Sequence, residues 1–194
     1  SADCTTLAQL GQSATGNAPS TALRVQLLVG GGATFEALLA AIGAARRHIH
    51  LCYYIFDADR TGSQVRDALV AAVRLLLDGI GSAKLPKAFL ASLTDAGVEL
   101  AWFHPVRLRW LWRPRMNLRN HRKLVVVDGA LAFTGGINIT DDQNDRINPA
   151  AFHDLHMQLE GAVVRWLQLA FVEDWLYATR TALDDASLWP DAPD

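Results

Sequence analysis

Three short stretches carry the residues whose types and spacing could do chemistry. The first, Asn120-His121-Arg122-Lys123-Leu124-Val125-Val126-Val127-Asp128-Gly129, sets an imidazole two residues from an ammonium. Side chains alternate along an extended strand, so His121 and Lys123 are expected on one side, about 6 to 7 Å apart. Together they could address one anionic group. The four apolar residues that follow make a stiff mount, and Asp128 ends it before Gly129. In the second stretch, Gly135-Gly136-Ile137-Asn138, paired glycines allow close backbone approach, and the Asn138 amide can donate to an oxygen. In the third, Asp154 and His156 lie two apart on a predicted strand and face one way. A carboxylate near His121 could take its Nδ1 proton and fix the tautomer. Nε2 would then be left as a nucleophile.

These residue types leave other roles open. Lys123 could be solvated, and Asp128 and Asn138 could each cap a turn. Asp154 and His156 could pair with each other. A zinc site needs four ligands at sensible spacing; His121, Asp154 and His156 could supply three, but Lys123 beside them would repel a cation.

The elements that must position these groups follow an α/β rhythm. Of the 194 residues, 51% are hydrophobic, enough to bury a core without metal or disulfide staples. With 18 basic and 20 acidic side chains, the chain is not a generic nucleic-acid coat. The two cysteines, Cys4 and Cys52, do not make a disulfide framework. No apolar run reaches the roughly 18 residues needed to span a bilayer, and no secretion signal is visible at the start.

Residues 1–22 read as a flexible N-terminal arm, 23–180 as one catalytic domain, and 181–194 as a C-terminal tail or interdomain linker. Strands are predicted at Arg24 to Val29, His48 to Phe56, Leu75 to Leu77 and Val98 to Phe103. Closer-spaced strands follow at Leu124 to Val127, Leu131 to Thr134 and Leu155 to Leu159. Thr34 is the predicted N-cap of a helix running through Ala45. Further helices are predicted at Ser63 to Ala72, Lys87 to Ala96 (closed by Gly97) and Val163 to Ala178, the last with Trp166, Leu169, Ala170 and Val172 near one side. The Gly30-Gly31-Gly32 triplet reads as a strand-to-helix turn rather than a nucleotide loop, since no Lys-Ser or Lys-Thr follows.

The His-x-Lys-x4-Asp pattern of His121, Lys123 and Asp128 resembles the hallmark of the phospholipase D superfamily. Further stretches resemble the amino-terminal catalytic domain of bacterial cardiolipin synthases. These are Leu118 to Lys123, Phe133 to Ile139 and Asp154 to Gly161, with Tyr53-Tyr54-Ile55-Phe56, Asp78 to Ser82 and Phe103-His104-Pro105. The resemblance implies an α-β-α sandwich, a central mixed β-sheet flanked by helices. It implies phosphatidyl or phosphodiester transfer on phospholipids, in which two histidines meet at one site. One attacks phosphorus to form a phosphohistidine, and the other protonates the leaving alcohol and then activates the acceptor. His121 would be one of the two. Lys123 and Asn138 would hold phosphoryl oxygens, Asp154 would orient the histidine, and Asp128 would support the site from behind. Arg119, Asn120, Gly136, His156 and Tyr54 are expected to contact substrate. The scheme requires no metal or other cofactor. Two departures stand out: Cys52 replaces a glutamate that is common in the family, and a loop before Leu75 is missing.

No second His-x-Lys motif is present. The partner histidine is expected from a C-terminal domain or from a homodimer partner; the acidic, proline-containing end resembles an interdomain linker. Hydrolysis by a symmetric dimer, as a phospholipase or nuclease, and an inactive lipid-binding half-domain are the alternatives. From His104 to Lys123 there are seven Arg or Lys residues and no acid. Arg109, Trp110, Trp112, Arg113 and Arg115 in that stretch are expected to meet a membrane, since cations attract anionic headgroups and indoles favour the interface. Nucleic acid is the less favoured partner. The implied setting is a peripheral position on the cytoplasmic side of a bacterial membrane, with an anionic phospholipid and an alcohol or water as reactants.

Overall fold

The computed structural model describes residues 2–69, 72–105 and 119–190. Seven strands form one sheet: β1 (Arg24–Val29), β2 (His48–Tyr53), β3 (Ala72–Asp78), β4 (Glu99–Phe103), β5 (Leu124–Val127), β6 (Leu131–Gly135) and β7 (Leu155–Glu160). Their order is β1-β7-β6-β5-β2-β3-β4. β2, β3 and β4 run parallel, and every other pairing is antiparallel. The change follows from the connections. Helices separate the first strands, as parallel neighbours require, whereas the three-residue turn from Val127 to Leu131 suffices for an antiparallel pair.

Among the described residues five α-helices accompany the sheet: α1 (Ala2–Thr15), α2 (Gly30–Ala44), α3 (Arg60–Ala68), α4 (Lys87–Asp95) and α5 (Val163–Thr179). Phe35, Leu38 and Ile42 of α2, Val65 of α3 and Phe89 and Leu93 of α4 pack with Ile49, Leu51 and Tyr53 on one face. Val164, Phe171 and Trp175 of α5 pack with Cys52, Leu76 and Val126 on the other. The result is the expected α-β-α sandwich with a mixed sheet. β2 is buried along its whole length because it is covered on both faces. Among the described residues no helix is long and apolar enough to cross a membrane.

Several local expectations are corrected. Thr34 lies inside α2, not at its cap; its hydroxyl donates to the Gly30 carbonyl. The glycine triplet forms the first turn instead, and the Asp145 carboxylate accepts from the Gly32 amide. Gly31 is required there: a Cβ would sit 1.7 Å from the Gln143 carbonyl oxygen. α3 starts at Arg60 because Asp59 caps it, accepting from the Gly62 amide. It ends at Ala68, which lets β3 begin at Ala72. α5 buries Val164, Gln168, Phe171 and Trp175 rather than the Trp166 side. In the segment expected to be an arm, α1 is an exposed helix.

Candidate active site

Strand direction decides what meets at each end of the sheet. Leu124 at the start of β5 pairs with Cys52 near the end of β2 and with Thr134 near the end of β6. Gly135 at the end of β6 pairs with His156 near the start of β7. One sheet end therefore gathers Tyr54 after β2, Asp78 at the end of β3, His121 and Lys123 before β5, Gly136 and Asn138 after β6, and Asp154 before β7. The segment 119–123 precedes the β5 ladder, which begins at Leu124, so the strand is the mount and His121 stands just beyond it.

His121 is exposed and lies flat on Tyr54, with ring centroids 3.9 Å apart and planes 18° from parallel. Its imidazole has no hydrogen-bond partner among the described residues. Lys123 turns toward the same place. Its Nζ donates to the His121 carbonyl at 2.8 Å and lies 5.5 Å from the Tyr54 ring centroid. Burial lowers the Lys123 pKa, opposed by the Asp154 carboxylate nearby. An imidazole and a partly desolvated ammonium thus share one aromatic platform.

The other expected residues fall into two groups. Asp154 is at this end of the sheet, held by the Leu155 amide at 2.7 Å. It lies over Gly136, where a Cβ would be 2.2 to 2.4 Å from its carboxylate atoms. Asp154 acts on Lys123 and His156, and among the described residues no hydrogen bond joins it to His121. Asn138 ties its own loop to the chain after β2: Oδ1 accepts from the Ile55 amide at 3.1 Å and Nδ2 donates to Gln143 Oε1 at 2.9 Å. One Nδ2 hydrogen is left for another acceptor. His156 is 1% exposed, and burial pulls its pKa down to about 4. It lies behind the site rather than on its surface.

Arg119 and Asn120 face inward. Arg119 donates to the His104 carbonyl at 3.2 Å, 3.9 Å from Asp78. Asn120 is 5% exposed and donates to Asp174 at 2.7 Å. Asp128 is at the opposite end of the sheet, beyond the four residues of β5. Its carboxylate accepts from the amides of Arg46, Arg47 and His48 at 2.9, 2.7 and 2.9 Å. Burial alone would raise its pKa, but those three amides outweigh burial and hold it low. Asp128 therefore anchors the start of β2 instead of touching the reacting groups. Arg109, Trp110, Trp112, Arg113 and Arg115 lie outside the described residues. Among the described residues no group of three or more His, Cys, Asp or Glu is placed to hold a metal ion.

Sequence reasoning missed Asp78 and Asp174 as anchors of the segment 119–123. Asp78 was visible only as the acid of an Asp-Gly strand end. Asp174 was one of two adjacent acids, Glu173 and Asp174, in a largely apolar helix, beside Trp175.

The family model described as "Cardiolipin synthase, PLD-like domain" matches residues 38–172. The chain belongs to the phospholipase D superfamily, within this cardiolipin synthase-like group. It is similar to cardiolipin synthase 1 of Bacillus cereus, 43% identical over 161 residues, which are 79% of this chain and 31% of the relative. It is also similar to the cardiolipin synthase of Alkalihalophilus pseudofirmus, 40% identical over 182 residues, 90% of this chain and 36% of that one. The chain thus spans about a third of the length of these relatives. Its fold is similar to that of Nuc from Salmonella typhimurium, a phospholipase D family member. That TM-score is 0.59 at 20% identity, covering 84% of this chain and 97% of Nuc.

Proposed function

We propose that this chain supplies one catalytic half of an enzyme that transfers a phosphatidyl group between a phospholipid and an alcohol, as in cardiolipin synthesis. The observation that carries this reading is the exposed His121 imidazole, unpartnered among the described residues, beside Lys123 on the Tyr54 platform. A histidine that must bond to phosphorus or pass a proton needs such a free ring nitrogen. His121 attacks the phosphodiester and displaces the headgroup alcohol, or it serves as the acid and base for the attacking histidine of the other half. Lys123 brings positive charge to the equatorial oxygens, where charge develops in the transition state. Asp154 balances Lys123 and orients His121 once the ring leaves its stack.

One histidine cannot be both nucleophile and leaving-group acid in the same step. The second comes from a further His-x-Lys half, either on the same polypeptide or in a second copy. The shortness of the chain relative to its relatives supports the first arrangement. The site works at the cytoplasmic face of a bacterial membrane, approached peripherally, with the arginine- and tryptophan-rich residues 107–115 attracting anionic headgroups.

The test uses phosphatidylglycerol vesicles. The protein is assayed alone over a concentration series and joined to a second His-x-Lys half, with and without glycerol. A lipid product carrying two phosphatidyl groups is expected from the joined halves. Phosphatidic acid alone, unchanged by glycerol, would mean hydrolysis. No lipid product from any arrangement would reject the proposal.

A further inference from the structure

The His121 side chain makes one described contact, the stack on Tyr54. The segment that carries it lies outside the β5 ladder, which begins at Leu124. Something other than strand pairing must fix it, and the residues on either side of His121 show what does. Asn120 Nδ2 donates to Asp174 Oδ2 at 2.7 Å. Arg122 Nη1 donates to Oδ1 and Oδ2 of the same carboxylate at 3.0 and 2.8 Å. Asn120 Oδ1 accepts from the Arg122 amide at 3.1 Å, closing a turn with His121 at its apex. From the other side, the buried Asp78 accepts from the Asn120 amide at 3.2 Å.

We propose that Asp174 is a positioning residue for His121: its carboxylate on α5 grips both neighbours of the histidine and holds the ring against Tyr54. Bonds to a carboxylate are about twice as strong as neutral ones. The Asp174 side chain is 14% exposed, so water competes weakly for it. Phe171 and Trp175 flank it in the chain and lock α5 to the sheet, which gives the grip a rigid base. Cys52, 1% exposed, is a neutral thiol because burial raises its pKa. It puts no second negative charge beside Asp174. The catalytic consequence rests on His121 being a reacting histidine; the positional claim does not.

The experiment reads both. In solution NMR of the whole chain, stacking on Tyr54 displaces the His121 ring-proton resonances, and Tyr54→Leu marks their unstacked positions. Asp174→Ala is expected to move them at least half way to those positions while the amide dispersion of β2 and β3 stays. In the lipid-transfer assay of the joined halves, the same variant is expected to lower kcat by about 100-fold, the scale of a 1 Å misplacement, with KM within about twofold. Asp174→Asn keeps an acceptor oxygen and is expected to recover part of both. His121 resonances at wild-type positions in Asp174→Ala would overturn the proposal. Should that variant fail to fold, Arg122→Met removes one gripped partner at a side chain 52% exposed. It is expected to shift the same resonances, and wild-type positions there would overturn the proposal equally. A wild-type protein without lipid turnover would reject the catalytic reading of His121 and leave the resonances to decide on Asp174.

Discussion

At the scale of single residues, the site is an imidazole and an ammonium on one aromatic ring, backed by a carboxylate over a glycine. If Lys123 stabilises developing phosphoryl charge, Lys123→Met should lower the chemical rate by about 100- to 1000-fold. Binding to anionic vesicles should change by less than about twofold. Equal losses in single-turnover rate and vesicle binding would show that the lysine serves the surface rather than the reaction. Gly136→Ala tests the carboxylate: a Cβ there would collide with Asp154 at 2.2 to 2.4 Å. Turnover should fall on the order of 100-fold, with the circular dichroism spectrum unchanged; full turnover would remove Asp154 from the working site. The spacing of two put His121 and Lys123 on one face of a strand; His121 instead stands at a turn outside the β5 ladder, and the Tyr54 ring is what both side chains meet. The bonds of Asn138 to Ile55 and Gln143, and the burial of His156, were not legible, because each depends on chain from a distant loop or strand.

At the scale of elements, the hallmark carboxylate and the hallmark histidine belong to opposite ends of β5. Asp128 ties β5 to the start of β2 through three backbone amides. Asp128→Ala should therefore cost about 2 kcal/mol in stability, since hydrogen bonds to a charged group contribute roughly 1.5 to 3 kcal/mol each and water replaces part of them. For a domain of this size that is a fall in Tm of about 4 to 8 °C in a thermal melt. Turnover per folded molecule should stay within a few-fold of wild type. A large loss of kcat without loss of Tm would return Asp128 to the reacting groups. Most strands were legible because short apolar runs are bounded by turn residues. The start of α2 was not, since the carboxylate that accepts from its first turn is Asp145, far along the chain. The buried side of α5 was not, since apolar residues surround that helix and the sheet chooses Gln168 with Phe171 and Trp175.

At the scale of the whole molecule, an antiparallel half and a parallel half share one sheet, and that change of direction collects the ends of five strands into one site. The same architecture buries histidines that the proposed reaction does not use. Burial, with His48 and Arg74 close by, pulls His50 down to about 3, and burial pulls His156 down to about 4. Both are neutral in the folded protein near pH 6, whereas an unfolded histidine takes up its proton near pH 6.5. Stability should therefore be highest above pH 7 and fall from about pH 6.5 downward, until the folded protein also binds those protons near pH 4 and pH 3. The loss between pH 7 and pH 5 should be about 4 kcal/mol for the two together, read from urea midpoints across that range. A flat profile would mean that these rings titrate as if exposed. The membership of the chain in its family was legible in its motifs. The most direct test is phosphatidylglycerol turnover by the joined halves carrying His121→Ala, beside a thermal melt. Turnover is expected to fall at least about a thousandfold, with Tm within about 2 °C of wild type; turnover within twofold of wild type in a folded variant would contradict a reacting role for His121.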